Sequence, residues 1–313
     1  MNRAFARYLL ARGARALLTV WGVTTLVFLM VHIIPGDPID AILGDQATPE
    51  DRAALRQTLH LNEPLLAQYR LFLSEVQDGS LGHSFHHGQQ EVQALIGAAL
   101  PFTAELALSS LVLALLIALP LGVAAATQRG QAVDRAATAF ASLGIAIPNI
   151  WLGPMLVLLF GVYLRWLPLP GDEEVGGIAL ILPAITVGTA LAAILMRQTR
   201  TGLIEVLSAP YIRAARARGL SNAAVLWKHA LRNVLLPVIT VAGAQLGALL
   251  SGAVITERIF ERPGLGNLFL EAFFSRDLPL VQGCVLVTAL IYVSVNLLID
   301  LMYGVIDPRV RLS

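Results

Sequence analysis

Charge is what this sequence has least of. Asp, Glu, Lys and Arg make up only 14% of the 313 residues, against 56% hydrophobic residues. An ordinary soluble domain carries about 25% charged residues. A soluble chain this apolar would lack the polar side chains to cover its surface, whereas a bilayer solvates an apolar exterior. A mean hydropathy of +0.71 points the same way. Lysine is almost missing: Lys228 is the only one. The residues before it do not form the Gly-x-x-x-x-Gly-Lys-Ser/Thr loop that cradles phosphate, so that route to ATP is closed to this chain. A single cysteine, Cys284 in an apolar run, excludes an intrachain disulfide and leaves the redox compartment unread. No Ser-His-Asp constellation, Cys-x-x-Cys pair or His-Glu-x-x-His helix is present, so the chain reads as non-catalytic. A net charge of +1 gives no reason to expect a nucleic-acid partner.

What the chain does have is long apolar runs. A helix needs about 20 apolar residues to cross the hydrocarbon core. Six stretches qualify: 14–34, 101–126, 137–164, 178–200, 233–256 and 281–304. Arg3, Arg7, Arg12 and Arg15 precede the first and give it the look of a signal peptide. It is nevertheless as long as a span and lacks a small-residue cleavage site before Pro35, so it reads as a retained first span. Residues 1–13 read as an amphipathic segment along the cytoplasmic face. Residues 35–100 differ in character, holding Asp37, Asp40, Asp45, Glu50, Asp51, Glu63, Glu75, Asp78 and Glu91. Helical patterning around 49–59 and 64–76 makes this an extramembrane helical insertion between spans one and two.

Basic residues orient the spans. The N-terminus, the 127–136 and 197–232 connections and the C-terminus carry fifteen of the 22 Arg and Lys. Arg52, Arg56, Arg70, Arg165, Arg258, Arg262 and Arg276 lie on the other side, where about 17 of 21 acidic residues also fall. Both termini are therefore expected in the cytoplasm, and 35–100 outside it.

The 201–232 connection is the most informative segment. Ser208 reads as an N-cap, with Pro210 in the first turn of a short helix. Gly219 ends that helix, and Ser221 caps a second one running to about Arg232. Ala214, Ala215 and Ala217 keep the first helix nearly bare, so another backbone can approach it. Arg213 and Arg216, three apart, share a face and can meet acidic residues of a partner. On the residues alone, these arginines serve equally well as determinants of topology at the lipid headgroups.

The Ala214-Ala215-x-x-x-Gly219 core resembles the cytoplasmic signature of ABC importer permeases. The wider pattern is similar to the first-subunit type of the dipeptide/oligopeptide/nickel permease family. It includes Pro35-Gly36-Asp37-Pro38, Asn62-Glu63-Pro64-Leu65, Gln68-Tyr69, Gly82 and Ser84. Tyr211-Ile212-Arg213, Gly219-Leu220-Ser221, His229 to Asn233 and Pro237 follow, then Glu257 to Phe260, Pro263 to Gly266, Arg276-Asp277, Pro279 and Asp307-Pro308-Arg309. Two departures from the general signature, Arg213 in place of its glutamate and no proline at His229 to Arg232, are typical of the peptide/nickel branch.

The resemblance implies an all-α membrane protein with six transmembrane helices and the type I ABC importer permease fold. It implies Arg213, Ala214, Ala215, Arg216 and Gly219 as the docking segment for an ATPase. The implied partners are a second homologous permease subunit, two ABC ATPase subunits holding ATP and Mg, and an extracytoplasmic binding protein, all at a bacterial or archaeal inner membrane. Di- or oligopeptides are the favoured substrate class, with nickel and glutathione the alternatives in the same family. An ion-driven secondary transporter would show an inverted repeat, which is not found, and a membrane receptor or scaffold would show no flux.

Polar residues inside spans are costly and mark packing or a path. His32, Glu105, Asn149, Gln245, Asn296 and Asp300 are such residues. Gln245, among Gly243, Gly247, Ser251 and Gly252, is the best path candidate together with Ser251, although helix packing through small residues accounts for this stretch at least as well. His83, His86 and His87 are weak candidates for Ni²⁺ or Zn²⁺, set against a solvated loop between Gly82 and Gly88. The orientation is testable. A reporter active only outside the cytoplasm should be active when inserted in 35–100 and silent at the C-terminus, and the opposite pattern would invert the topology.

Overall fold

The computed structural model describes residues 3–33, 39, 48–58 and 61–306. The Pro35–Pro38 and Asp307–Arg309 motifs lie outside these residues. Five helices are long and apolar enough to cross a membrane, and a bent pair makes a sixth span if counted as one. The all-helical, multi-span class expected from the sequence therefore holds among the described residues. The chain divides into two compact units, Met1–Thr103 with Pro263–Ser313, and Ala104–Arg262.

In the first unit, α1 (Arg3–Ile33) is one uninterrupted helix that joins the expected amphipathic segment to the first span. The insertion contains α2 (Pro49–Thr58) and α3 (Leu65–Asp78). Helix α3 sits on α1 through a 2.7 Å hydrogen bond between the Tyr69 and Thr25 hydroxyls. An edge-to-face contact between Phe28 and Tyr69, with ring centres 5.1 Å apart, adds to it. Helix α4 (Val92–Thr127) starts nine residues before the apolar run read at 101, so its first turns come from the polar end of the insertion. At 36 residues it is about 54 Å long at 1.5 Å per residue, well beyond a hydrocarbon core. Residues 92–103 of α4, α12 (Leu265–Phe274) and α13 (Leu278–Ile306) enclose a core of Val92, Ile96, Leu265, Ala272, Leu280, Val281 and Cys284.

The second unit is organised about α7 (Ile181–Ser208), preceded by the 3₁₀ turns of Glu173–Leu180. Helices α5 (Ala132–Ala146) and α10 (Leu231–Gly252) pack along it. Between α7 and α10 in the chain come α8 (Pro210–Ala217) and α9 (Asn222–Ala224), the latter leading through the π-wound turns of Val225–Ala230. The contacts around α7 are close because small residues meet there. A methyl group added to Gly122 would lie 2.7 Å from Thr199 Cβ, and one on Gly144 3.0 Å from Ala193 Cβ. Gly188 faces the Ser110 carbonyl and Gly202 faces Val234, each with 3.1 Å or less to such a methyl. Lipid offers apolar surface as good as any helix, so such van der Waals contact is what associates spans.

The single span read at 137–164 is two helices in the structure. Helix α5 and the run made of α6 (Asn149–Leu156) and the π turns Val157–Tyr163 meet at 102°. The break falls at Ile147–Pro148. A residue before proline is driven out of the helical region, and Ile147 takes φ −82° and ψ 116°. Apolar composition ran straight through this point, which is why a continuous span was expected. Helix α10 likewise ends at Gly252, before the 256 expected, and α11 (Val254–Ile259) follows.

Gly122→Val should strain the contact with Thr199 by about 1–3 kcal/mol, the usual range for overpacking. A lowered thermal transition in detergent would show it. Gly22→Ala, which has nothing within 4 Å of the new methyl, is the control expected to leave the transition unchanged.

Candidate functional site

The 201–232 connection is built differently from its sequence reading at two points. Helix α7 continues to Ser208, whose hydroxyl donates to the Glu205 carbonyl at 2.7 Å. Ser208 therefore closes one helix instead of capping the next. Ala209, extended at φ −67° and ψ 149°, is the residue before α8, and Pro210 opens it as expected. The second point is the exit. Ser221 caps α9, its hydroxyl accepting from the Ala224 N–H at 3.3 Å, but nothing stops the helix near Arg232. Backbone winding runs from Asn222 through the π turns into α10 as far as Gly252. The bend at Gly219 is where it was placed, with φ +81°, a conformation that a side chain makes costly.

Helix α8 is held by a residue that the sequence pattern includes but that was given no role there. Ile212 is fully buried in a cluster with Ala125, Ala137, Leu203, Val225 and Val234, and Ala215 packs partly against it. Arg213, Ala214, Arg216, Ala217 and Gly219 are exposed. Four of the five candidate docking residues thus share an outward surface, while Ala215 belongs to the base. An isoleucine among arginines and alanines, three positions from Ala215, was the available signal. Tyr211, Leu220 and Trp227 add exposed apolar area, Trp227 at 62%. The Tyr211 hydroxyl accepts from Asn233 Nδ2 at 2.7 Å, tying the start of α8 to α10. With Arg218, Lys228 and Arg232 also exposed, the surface is cationic with apolar patches, a chemistry suited to a partner with an acidic rim and an apolar groove.

Gln245 is half-buried on α10, and the Ser251 side chain falls outside what the structure describes. The cleft between α1 and α13, lined by Val20, Val23, Leu286, Ala289, Leu290 and Val293, is apolar and does not include Gln245. Glu105, counted among the polar residues of the spans, accepts from Arg262 Nη2 at 2.7 Å. Asn296 donates to the Tyr292 carbonyl.

The three histidines have an architectural setting. Among the described residues, no group of three His, Cys, Asp or Glu is placed to hold a metal. His83 is exposed, and its backbone pairs with that of Glu91 in an isolated antiparallel β-bridge. His86 gives its backbone N–H to the Asp277 carboxylate at 3.3 Å. His87 Nδ1 lies 3.0 Å from the Ser84 hydroxyl and its Nε2 3.6 Å from Glu271. Asp277, fully buried just before α13, accepts from the Ser84 hydroxyl at 2.5 Å and from the Leu280 N–H at 3.4 Å. One buried carboxylate gathers the 82–91 loop.

Comparison with known proteins adds the following. The family model described as "Binding-protein-dependent transport system inner membrane component" matches residues 118–312, and "Binding-prot-dependent transport system membrane comp, N-term" matches residues 5–107. The chain is 37% identical to the dipeptide transport system permease protein of Escherichia coli K12, over 97% of this chain and 98% of that protein. It is 37% identical to the oligopeptide transport system permease protein of Bacillus subtilis 168, over 98% and 99% of the two chains. The glutathione transport system permease protein of Salmonella choleraesuis is 38% identical, over 97% and 98%. A chain from the crystal structure of an amino acid ABC transporter with histidines shares the fold, with a TM-score of 0.53 at 15% identity over 76% of this chain and 98% of that one.

Asp277→Ala should release the 82–91 loop, because it removes the buried carboxylate that accepts from the Ser84 hydroxyl and from the His86 and Leu280 backbone N–H groups. Limited proteolysis should then cut 82–91 several times faster than in the parent chain. Equal rates would show that the carboxylate does not organise the loop.

Proposed function

The chain belongs to the family of binding-protein-dependent transport system inner membrane components, and from that premise we propose that it is a permease subunit of an ATP-driven importer of di- or oligopeptides. Similarity over nearly the whole length to dipeptide and oligopeptide permeases supports the substrate class. The glutathione permease relative keeps a closely allied tripeptide in view, and nickel is a further alternative.

The observation that carries the coupling role is the outward face of α8, anchored from beneath by Ile212. A helix gripped by the core on one side and bare on the other passes a push from a docked partner into the spans. Arg213, Arg216 and the bare Ala214 and Gly219 supply charge and close approach. In this reading two ATPase subunits, which bind ATP and Mg, dock at α8 and its counterpart on a second permease. An extracytoplasmic binding protein delivers substrate at the face bearing the 35–100 insertion. Closure of the ATPase dimer moves α8 and alternates access to a path between the permeases. Both termini and the α8 surface lie in the cytoplasm, in agreement with the fifteen basic residues on that side. This chain contributes conduit and lever, and no catalytic group.

Arg213→Glu with Arg216→Glu should lower dipeptide uptake by the assembled complex about tenfold, within the 5–150-fold span of allosteric couplings. Uptake at the parent rate would overturn the docking role. Recovery of the tagged chain from mild detergent without any ATPase subunit would count against the importer itself.

A further inference from the structure

Asp134 stands in the first turn of α5 with its side chain only 7% exposed. One carboxylate oxygen accepts from Arg200 Nε at 2.5 Å. The other accepts from Arg200 Nη2 at 2.9 Å and from the Gly130 backbone N–H at 2.8 Å. A planar guanidinium meeting both oxygens is the directional form of an ion pair. Removing one partner of such a pair leaves the other charge uncompensated. In the sequence, both residues counted only as charges on one side of the membrane.

The location gives the pair its role. Gly130 lies in the turn between α4 and α5, and Asp134 opens α5. Arg200 sits on α7 eight residues before its end at Ser208, about 12 Å along the axis. The apolar base shared by these elements is made largely of alanine: Ala125, Ala126, Ala137 and Ala141 pack with Leu203 and Ile212. Methyl groups interlock shallowly, so an alanine interface resists separation but permits sliding. A two-pronged ionic contact fixes register. From the clamp, α5 runs to the bend at Ile147–Pro148. Beyond the bend, α6 packs at Gly153 against Ile259 and Phe260, at the end of α11, with 3.3 Å and 3.4 Å to a methyl placed on that glycine.

We propose that Asp134 and Arg200 are positioning residues for transport, clamping α5 to the end of α7 so that displacement of α8 swings α6 about the Ile147–Pro148 bend and shifts α11. The proposal rests on the permease reading above. Without the clamp, α7 slides on α5 and the push on α8 is spent within the alanine interface. Assembly and ATP hydrolysis survive, while the yield of transport per ATP falls.

The test uses the full complex in proteoliposomes with its binding protein, measuring radiolabelled dipeptide taken up per ATP hydrolysed. Asp134→Asn removes the charge, and Arg200→Lys keeps it while losing the fork. In either variant that assembles, ATP hydrolysis should stay near the parent rate while uptake per ATP falls about tenfold. The charge swap, Asp134→Arg with Arg200→Asp, should recover part of that ratio. A merely architectural pair would lower assembly, hydrolysis and uptake together and leave the ratio intact. A parent-like ratio in assembled Arg200→Lys and Asp134→Asn overturns the proposal. If the parent complex itself neither hydrolyses ATP nor takes up dipeptide, the permease reading falls, and the proposal with it.

Discussion

Close backbone approach around α7 is the constraint on which the second unit depends. Helices in lipid gain nothing from hiding apolar surface from water, so association has to come from contact at short range. Glycine at 122, 144, 188 and 202 brings α4, α5 and α10 within methyl-contact distance of α7, or of its own glycines. With α7 held this close to its neighbours, α8 follows directly from its last turn. A bulkier residue at any of these positions would move α8 along with the span.

Around that frame, sequence details divide the unit into stiff and yielding parts. Pro148 breaks the third span at 102° and leaves a joint where a straight helix would be rigid. Gly219 turns the chain between α8 and the helix leading into α10. Ile212 fills the base, and the Asp134–Arg200 clamp stands beside it. Helix α8 is thus joined to a packed base, an ion pair and a bend within the same unit. In the first unit Asp277 does comparable work with hydrogen bonds, drawing Ser84 and the His86 backbone to the start of α13.

Much of this was legible beforehand. Span number and the bend at Gly219 follow from apolar run length and from a glycine where only a positive φ serves. Pro210 at the start of α8 and Ser221 as a cap follow from local rules. Ser208 was misplaced because a serine serves a helix end as well as a helix start, its hydroxyl bonding back to the preceding turn. Pro148 marks a place where a span can bend, but the 102° break was not legible, because hydropathy does not register backbone direction. Asp134 and Arg200 are 66 residues apart, and Asp277 and Ser84 are 193 apart. Such pairs are visible only once helices are packed. The three histidines are close in sequence, yet the carboxylate that organises their loop lies nearly two hundred residues further along the chain.

The central claim is that the outward face of α8 is the surface an ATPase grips. Cys284 is buried, so a single cysteine placed at exposed Ala214 gives a clean site for a short bifunctional cross-linker. In membranes holding the full complex, Ala214→Cys should cross-link to the ATPase subunit, with a yield that changes between nucleotide-free and ATP-bound states. Adducts with lipid or with other chains only, at a yield indifferent to ATP, would contradict the account.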